Sequence, residues 1–296
     1  MSIKTAVPYI AWLLAVMSLS LSPVAQSWGS SNAPPPALLE SINQNLTSFN
    51  IPGASITVID DGKITWASGF GYADLSVRRA VTKDTLFQAA SITKTLTSLA
   101  AVKTLDKNQV SLDAVVNDHL TRWQIPSNSF TKESPISFRM LLNHTGGISN
   151  PYPDGCCGPD YPLPSLIQVF RGEAPATNPP LVATYLPGTE YRYCNGCYAI
   201  IQGGLEDISG KDFGVLLNES VLRPAKMDSS KFDNEFFLSD RSSIALPYDS
   251  NHVVYQNAPM RNPILSTGTL WTTASDLARF NLHLTEALRG SNDLIE

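Results

Sequence analysis

Two residues three positions apart, Ser91 and Lys94, could carry nucleophilic chemistry. They occur in F-Q-A-A-S-I-T-K-T-L-T-S-L-A, residues 87–100, where a helix is expected to begin. Side chains three positions apart share one face of a helix, so the Lys94 amine can reach the Ser91 hydroxyl. A serine becomes a good nucleophile when a base takes its proton, and a lysine can do so when burial lowers its pKa. Helix N-termini also favour a developing oxyanion, so the spacing predicts acyl transfer to Ser91.

The S-x-x-K spacing is weak evidence by itself, because two such residues can simply lie on a solvated helix face. The chain holds a second copy, Ser129 and Lys132, in P-S-N-S-F-T-K-E-S-P. Prolines flank this copy and no apolar periodicity surrounds it, so we predict a loop there and discount it.

A second group of polar residues, Tyr193-Cys194-Asn195, changes this assessment. It follows a P-G turn in L-P-G-T-E-Y-R-Y-C-N-G-C-Y and precedes an apolar helix predicted over 198–205. A phenol beside a lysine can accept or relay a proton, and Asn195 can orient the lysine and hold a substrate carbonyl. The alternative is that Tyr193 is only a packed aromatic residue. A second Y-x-N, at 255–257, lacks the P-G-T-x-Y lead-in and is discounted.

Four phrases in this order resemble the serine β-lactamase and penicillin-binding protein superfamily, in its class C-like branch. They are F-Q-A-A-S-I-T-K-T-L-T-S, F-R-M-L-L-N-H-T-G-G-I, L-P-G-T-E-Y-R-Y-C-N-G-C-Y and T-G-T-L-W-T-T-A-S-D-L-A-R-F, and the resemblance covers about residues 38–288. That branch includes DD-peptidases, D-aminopeptidases and secreted esterases. The resemblance implies an α+β fold, in which an antiparallel sheet is flanked by helices and a mostly helical region is inserted after the S-x-x-K helix.

The resemblance also implies roles for individual residues. Ser91 is expected to be the acylated nucleophile and its N–H half of the oxyanion hole. Lys94 is expected to be the base, Tyr193 to move protons and activate the deacylating water, and Asn195 to orient the substrate. The substrate is expected to be a small molecule or a peptide with an amide or ester bond, and no cofactor or metal is expected.

The family's third motif, K-T-G or H-x-G, has no counterpart after Tyr193. His144-Thr145-Gly146 spells it but comes before Tyr193, so we interpret His144 as part of a structural phrase. We therefore expect the C-terminal strands to be missing from this chain and its activity to be impaired. This leaves two interpretations, a serine hydrolase or a non-catalytic binding or scaffold relative.

The surrounding pattern predicts the elements that position these residues. An apolar stripe over 34–49 predicts a first helix, and two alternating runs joined at Asp61-Gly62 predict a hairpin. We predict helices over 91–107, 112–120 and 138–143, and an amphipathic helix over 273–289 that is capped by Thr273 or Ser275 and packs on the sheet. No later segment reads as a strand run long enough to complete a sheet. The expected division is 28–110 and 263–296 for the sheet domain and 111–262 for the helical region.

The N-terminal segment predicts export. Lys4, the apolar run over 9–21 and the small residues Ala25 and Ser27 form a signal peptide pattern over 1–27. We expect a secreted or periplasmic protein without a stable membrane span after cleavage. The net charge of −5 and the absence of a Lys/Arg run argue against a nucleic-acid partner.

Four cysteines form two clusters, Cys156-Cys157 and Cys194/Cys197. In an oxidising compartment, two disulfides are expected, and three pairings are compatible with the sequence. We predict the cross-loop version, in which the first cluster is tied to the second. A metal module built on the same four residues is the weaker alternative.

Overall fold

The computed structural model describes residues 34–150, 162–232, 241–255 and 261–290. The predicted signal peptide and the pair Cys156-Cys157 lie outside these ranges. So do residues 256 and 257 of the second Y-x-N. The division at 110 and 262 stays a prediction.

The described chain contains helices and antiparallel strands that are grouped along the sequence and do not alternate, which confirms the α+β class. The helices are α1 (Pro36–Ser48), α2 (Thr93–Lys107), α3 (Ser129–Glu133), α4 (Phe138–Leu142), α5 (Leu166–Arg171), α6 (Asn195–Ser209), α7 (Phe213–Leu217) and α8 (Ala274–Leu288). The strands are β1 (Gly53–Asp60), β2 (Lys63–Asp74), β3 (Arg79–Ala80), β4 (Phe87–Gln88), β5 (Lys231–Phe232) and β6 (Leu270–Thr272).

The predicted hairpin is confirmed. Strands β1 and β2 pair antiparallel from Gly53–Gly71 to Asp60–Lys63. Asp61 and Gly62 join them with φ values of 46° and 70°, the left-handed pair that matches the twist of the flanking strands. Helix α8 packs on this hairpin, and the Thr57 and Ser275 hydroxyls lie 3.1 Å apart. The cap of α8 is Thr273, whose side chain accepts a hydrogen bond from the Asp276 N–H.

A second sheet, with strand order β4-β6-β5, contains short strands that the sequence pattern does not indicate. Its strands are only two or three residues long, so they show no alternating run in the sequence. Phe87 pairs with Thr272 and Gln88 with Trp271. Strand β4 leads directly into the turn that carries Ser91. The pairing of β4 with β6 therefore fixes the position of the chain just before the serine.

Helix α2 lies in the core and is buried on most sides. Leu96, Ala100 and Ala101 are fully buried, and so is the polar residue Thr97. The sequence places Ile92, Leu96 and Leu99 on one apolar face of the predicted helix, but Ile92 is 44% exposed. It lies in a 3₁₀ turn over Ala90–Ile92 before the α-helix begins, so it does not share the face of Leu96.

Two predictions of local structure in the helical region are wrong. Residues 112–120 contain a single 3₁₀ turn, Val116–Asp118, instead of a longer helix. The second S-x-x-K lies on the short helix α3 instead of a loop, because Asn128 caps it through a capping box with Thr131. Ser129 and Lys132 are both exposed, so this copy lacks the burial that would make its lysine a base.

Helices α2, α4 and α6 surround the main apolar core. Their packing residues include Phe138, Leu141, Ile200 and Ile201, which are all fully buried. This core joins the helix that carries Lys94 to the helix that follows Tyr193.

Arg122 and Asp207 fix the segment after the Val116–Asp118 turn to α6. Asp207 is 3% exposed, accepts from the Thr121 and Arg122 N–H groups, and forms an ion pair with the Arg122 guanidinium. We expect Asp207→Ala to lower the free energy of unfolding by about 2–3 kcal/mol, because it leaves the Thr121 and Arg122 N–H groups without their acceptor and removes one of the two carboxylates paired with the Arg122 guanidinium. Urea denaturation measures this loss.

The exposed ion pair between Arg139 and Asp113 supplies the control for that measurement. Both side chains are more than half exposed, so Asp113→Ala should change stability little. Equal losses of unfolding free energy in the two variants would show that the burial of Asp207 does not increase its contribution to stability.

Candidate active site

Ser91 sits at a strained turn between β4 and α2. Ala89 donates its N–H to the Leu270 carbonyl at 2.7 Å, which holds the turn to β6. Ala90 has φ of 45°, a left-handed conformation that is unfavourable for a residue with a Cβ. Gly268 packs against Ala90, and a Cβ there would come within 3.3 Å of the Ala90 carbonyl carbon. Ser91 itself is exposed to solvent.

Lys94 lies one turn below Ser91 and is almost fully buried, with 5% of its surface exposed. Its Nζ donates to Ser91 Oγ at 3.2 Å and to the Thr267 carbonyl at 2.8 Å. Desolvation by burial lowers the Lys94 pKa from 10.5 to about 8, because the charged form loses its hydration. A substantial fraction of this lysine is therefore neutral near physiological pH.

Tyr193 reaches the same serine from a segment about 100 residues later. Its hydroxyl donates to Ser91 Oγ at 2.7 Å. Its ring centroid lies 4.9 Å from Lys94 Nζ, and the Tyr198 ring lies 5.6 Å from the same nitrogen. The structure thus brings Ser91, Lys94 and Tyr193 together, whereas Tyr255 of the second Y-x-N is 59% exposed.

Residues 144–150 form a platform that positions the Tyr193 segment. The Gly188 N–H donates to the Thr145 carbonyl at 2.8 Å, and the Arg192 N–H donates to the His144 carbonyl at 3.0 Å. The Cys194 N–H donates to His144 Nδ1 at 3.2 Å. These bonds hold the backbone on both sides of Tyr193.

Asn195 is the first residue of α6, which begins three residues earlier than predicted. Its N–H donates to Asn150 Oδ1 at 2.6 Å. The start of α6 approaches the platform closely, since a Cβ at Gly196 would lie 2.6 Å from the Ser149 carbonyl oxygen. Within the described ranges, the Asn195 side chain makes no hydrogen bond to Ser91, Lys94 or Tyr193, so its substrate role stays a prediction.

Cys194 and Cys197 are bonded to each other, with Cα atoms 5.3 Å apart. The cross-loop pairing predicted for them is therefore wrong. Cys194 is the N-cap of α6 and Cys197 is its third residue, so both side chains lie on one turn within disulfide distance. Bonded sulfurs offer no thiolates to a metal, which removes two of the four ligands of the metal module. In the described part of the chain, no cluster of three or more His, Cys, Asp or Glu side chains could hold a metal ion.

Peptide mapping without reduction tests this pairing. Trypsin should release the peptide 193–211 in a form that is lighter by two hydrogens than after reduction. Since the disulfide closes a short loop, replacing both cysteines with serine should cost only about 2 kcal/mol of stability. A link from this peptide to the one that carries Cys156 and Cys157 would restore the cross-loop version.

Several contacts of the site have no signature in the sequence. The Thr267 carbonyl anchors Lys94, but every residue has a carbonyl. Ser98 and Tyr198 share a hydrogen bond of 2.8 Å behind the lysine, and the Tyr198 hydroxyl also donates to the Leu142 carbonyl at 3.1 Å. In the sequence, these contacts behind the lysine are indicated only by the presence of Ser98 and Tyr198 close to Lys94 and Tyr193.

None of the described helices is both long enough and apolar enough to cross a lipid bilayer.

Comparisons with known proteins show which family the chain resembles. The family model described as Beta-lactamase matches residues 40–294. A D-aminopeptidase from Brucella anthropi is 28% identical over 193 residues, which are 64% of this chain and 34% of the relative. The unguisins hydrolase ungD' from Aspergillus campestris is 27% identical over 257 residues, which are 81% of this chain and 45% of the relative.

Among solved structures, the octameric penicillin-binding protein homologue from Pyrococcus abyssi superposes with a TM-score of 0.69 and 25% identity. The match covers 88% of this chain and 57% of that structure. This chain thus spans between about a third and a half of the length of the two curated relatives above.

Proposed function

The chain belongs to the Beta-lactamase family, and we propose that it is a serine hydrolase that forms an acyl-enzyme at Ser91. The observation that carries this proposal is the convergence of two donors on one hydroxyl. Lys94 Nζ lies 3.2 Å and Tyr193 OH 2.7 Å from Ser91 Oγ. A nucleophile within hydrogen-bond reach of a base is the arrangement that covalent catalysis requires.

Lys94 is the proposed general base. With a pKa of about 8, about a tenth of the lysine is neutral at pH 7. Neutral Lys94 takes the Ser91 proton as Oγ attacks the carbonyl carbon of the substrate. The Thr267 carbonyl keeps the amine in place, because it accepts a hydrogen bond from either protonation state.

Tyr193 is the proposed route of the proton to the leaving group. When the bond between the carbonyl carbon and the leaving nitrogen or oxygen breaks, the proton held by Lys94 passes through the Tyr193 hydroxyl to that atom. A water molecule then attacks the carbonyl carbon of the acyl ester. Its proton passes along the same route to Ser91 Oγ, which is released as a hydroxyl while the acyl group leaves as a carboxylic acid. The reaction consumes one water and needs no oxidant, reductant or cofactor.

The proposed substrate is a small molecule or peptide with an amide or ester bond. The name of one relative, a D-aminopeptidase, supports amide hydrolysis, and the name of the other describes a hydrolase. Exposed Ser91 is open to such a substrate. We also infer export, because the Cys194–Cys197 disulfide suits an oxidising compartment and the 1–27 segment fits a signal peptide.

Covalent labelling of the purified protein tests the proposal. A fluorophosphonate and a penicillin are offered in parallel, and the adduct is located by peptide mass spectrometry. The proposal expects the adduct on Ser91 and none on Ser129, which has the same spacing to a lysine but an exposed one. Reversible binding of penicillin without any adduct would favour the non-catalytic binding protein instead.

A further inference from the structure

We propose that His144 is a positioning residue that holds Tyr193 against Ser91 only while its imidazole is neutral. This inference rests on the proposed function of Ser91 and Tyr193. His144 contacts the residues on both sides of Tyr193 in the sequence. Its carbonyl accepts the N–H of Arg192, and its ring Nδ1 accepts the N–H of Cys194 at 3.2 Å. No other residue of the platform contacts the backbone on both sides of Tyr193 in this way.

The ring of His144 also packs directly on the Tyr193 ring, with centroids 4.7 Å apart. Tyr198 lies on the ring at 5.2 Å, and Tyr191 meets it edge-on at 5.6 Å. The tyrosine therefore has its backbone held by hydrogen bonds and its side chain held by stacking, both from one histidine. The two rings are inclined by 40°, and aromatic contacts of this kind contribute energy beyond the area that they bury.

The hydrogen bond from Cys194 determines which form of His144 fits. Nδ1 can accept it only if it carries no proton, so the neutral ring must carry its proton on Nε2. In the imidazolium both ring nitrogens are donors, and Nδ1–H would then face the Cys194 N–H. Protonation therefore replaces an attractive contact with a repulsive one next to Tyr193.

The surroundings of the ring also favour the neutral form of His144. Burial lowers the His144 pKa, and the Lys94 cation lowers it further. The other titratable groups whose rings contact His144 are Tyr191, Tyr193 and Tyr198, and none of them is a carboxylate. The folded protein thus prefers neutral His144, and stability contributed by this preference is lost as the pH falls below the ordinary value of about 6.5.

The rate of Ser91 acylation as a function of pH tests the proposal. Lys94 alone makes the logarithm of the rate fall with unit slope below about pH 8. With His144 as a second proton-sensitive group, the slope should approach two below the pKa of His144. One pH unit below that value, the wild type should lose about tenfold more rate than a variant that cannot be protonated there.

His144→Asn and His144→Phe separate the two functions of the ring. Asparagine tolerates the left-handed φ of 64° at this position, and its Oδ1 can replace Nδ1 as an acceptor that never titrates. It should keep most of the activity and show unit slope throughout. Phenylalanine keeps the stack but offers no acceptor, so the rate should fall about 10- to 100-fold at every pH.

His252 provides the matched control, since it has a φ of 61° and one ring nitrogen bonded to the Asn50 backbone. His252→Asn and His252→Phe should leave the pH profile unchanged. If His144→Asn shows the same acid limb as the wild type, the proposal is overturned.

Nuclear magnetic resonance gives a readout that does not depend on activity. The His144 ring should appear as the neutral tautomer with its proton on Nε2, and the Cys194 amide resonance should shift with the same midpoint as His144. If Ser91 in the wild type is not acylated, the proposed function fails, but this coupled titration still decides whether His144 holds the segment. A Cys194 amide that ignores the titration of His144 would refute the inference in either case.

Discussion

Replacing Ser91 with alanine is expected to abolish acyl transfer, with a fall in turnover of at least about 10⁴-fold. Ser91 Oγ is the atom on which Lys94 Nζ and Tyr193 OH converge, at 3.2 and 2.7 Å. Removing it leaves a base and a proton donor without a nucleophile. The measurement is the initial burst of product from an activated ester, together with the mass of the protein during turnover.

The stability of the Ser91→Ala variant should be close to that of the wild type, because the Ser91 side chain is exposed. A loss of activity can then be assigned to chemistry and not to unfolding. Ser129→Ala is the matched control and should retain the burst. An acyl adduct that persists in Ser91→Ala would contradict the assignment of the nucleophile.

Local signals account for the elements that the sequence predicts correctly. Asp61-Gly62 between two alternating runs predicts the hairpin, because few other residues adopt two consecutive left-handed conformations. Thr273 before an apolar periodicity predicts the start of α8, since a threonine side chain can satisfy the free N–H of Asp276. In both places the residue types themselves specify the backbone.

The sequence predicts less well where contacts between distant segments decide the structure. The short strands β5 and β6 exist because they pair with each other and with β4, not because of an alternating pattern. The Cys194–Cys197 pairing follows from the position of α6, whose first turn the apolar pattern does not include. Each depends on the fold as a whole.

The candidate site also has some features that the sequence predicts and others that depend on contacts between distant segments. The types and spacing of Ser91, Lys94 and Tyr193 are visible in the sequence, and the structure brings the three together. The Thr267 carbonyl contacts Lys94, and the ring of His144 contacts Tyr193. A backbone carbonyl carries no residue type, and His144 is part of a phrase that is interpreted as structural, so neither contact is apparent before folding.

The second large effect is expected at Lys94, where the free base should control the pH dependence of the reaction. Acylation should rise with pH up to about 8 and level off above it, since burial lowers the Lys94 pKa to that value. Lys94→Met keeps a long apolar stem but removes the base, so turnover should fall about 10²- to 10⁴-fold and the limb near pH 8 should disappear. Stopped-flow acylation over pH 5–10 measures both changes.

Lys94→Met should lower turnover, but it should not lower the stability of the fold. A buried lysine with a lowered pKa makes the folded state bind its proton less tightly than the unfolded state does, so the stability of the wild type should rise as the pH increases from about 8 to 10.5. Lys94→Met should lose this rise and be at least as stable as the wild type at pH 7, because no charge is then buried. Lys132→Met, on exposed Lys132, should change neither the rate nor its pH dependence. A wild-type rate that keeps rising to pH 10, or a Lys94→Met variant that keeps the limb near pH 8, would show that another group is the base.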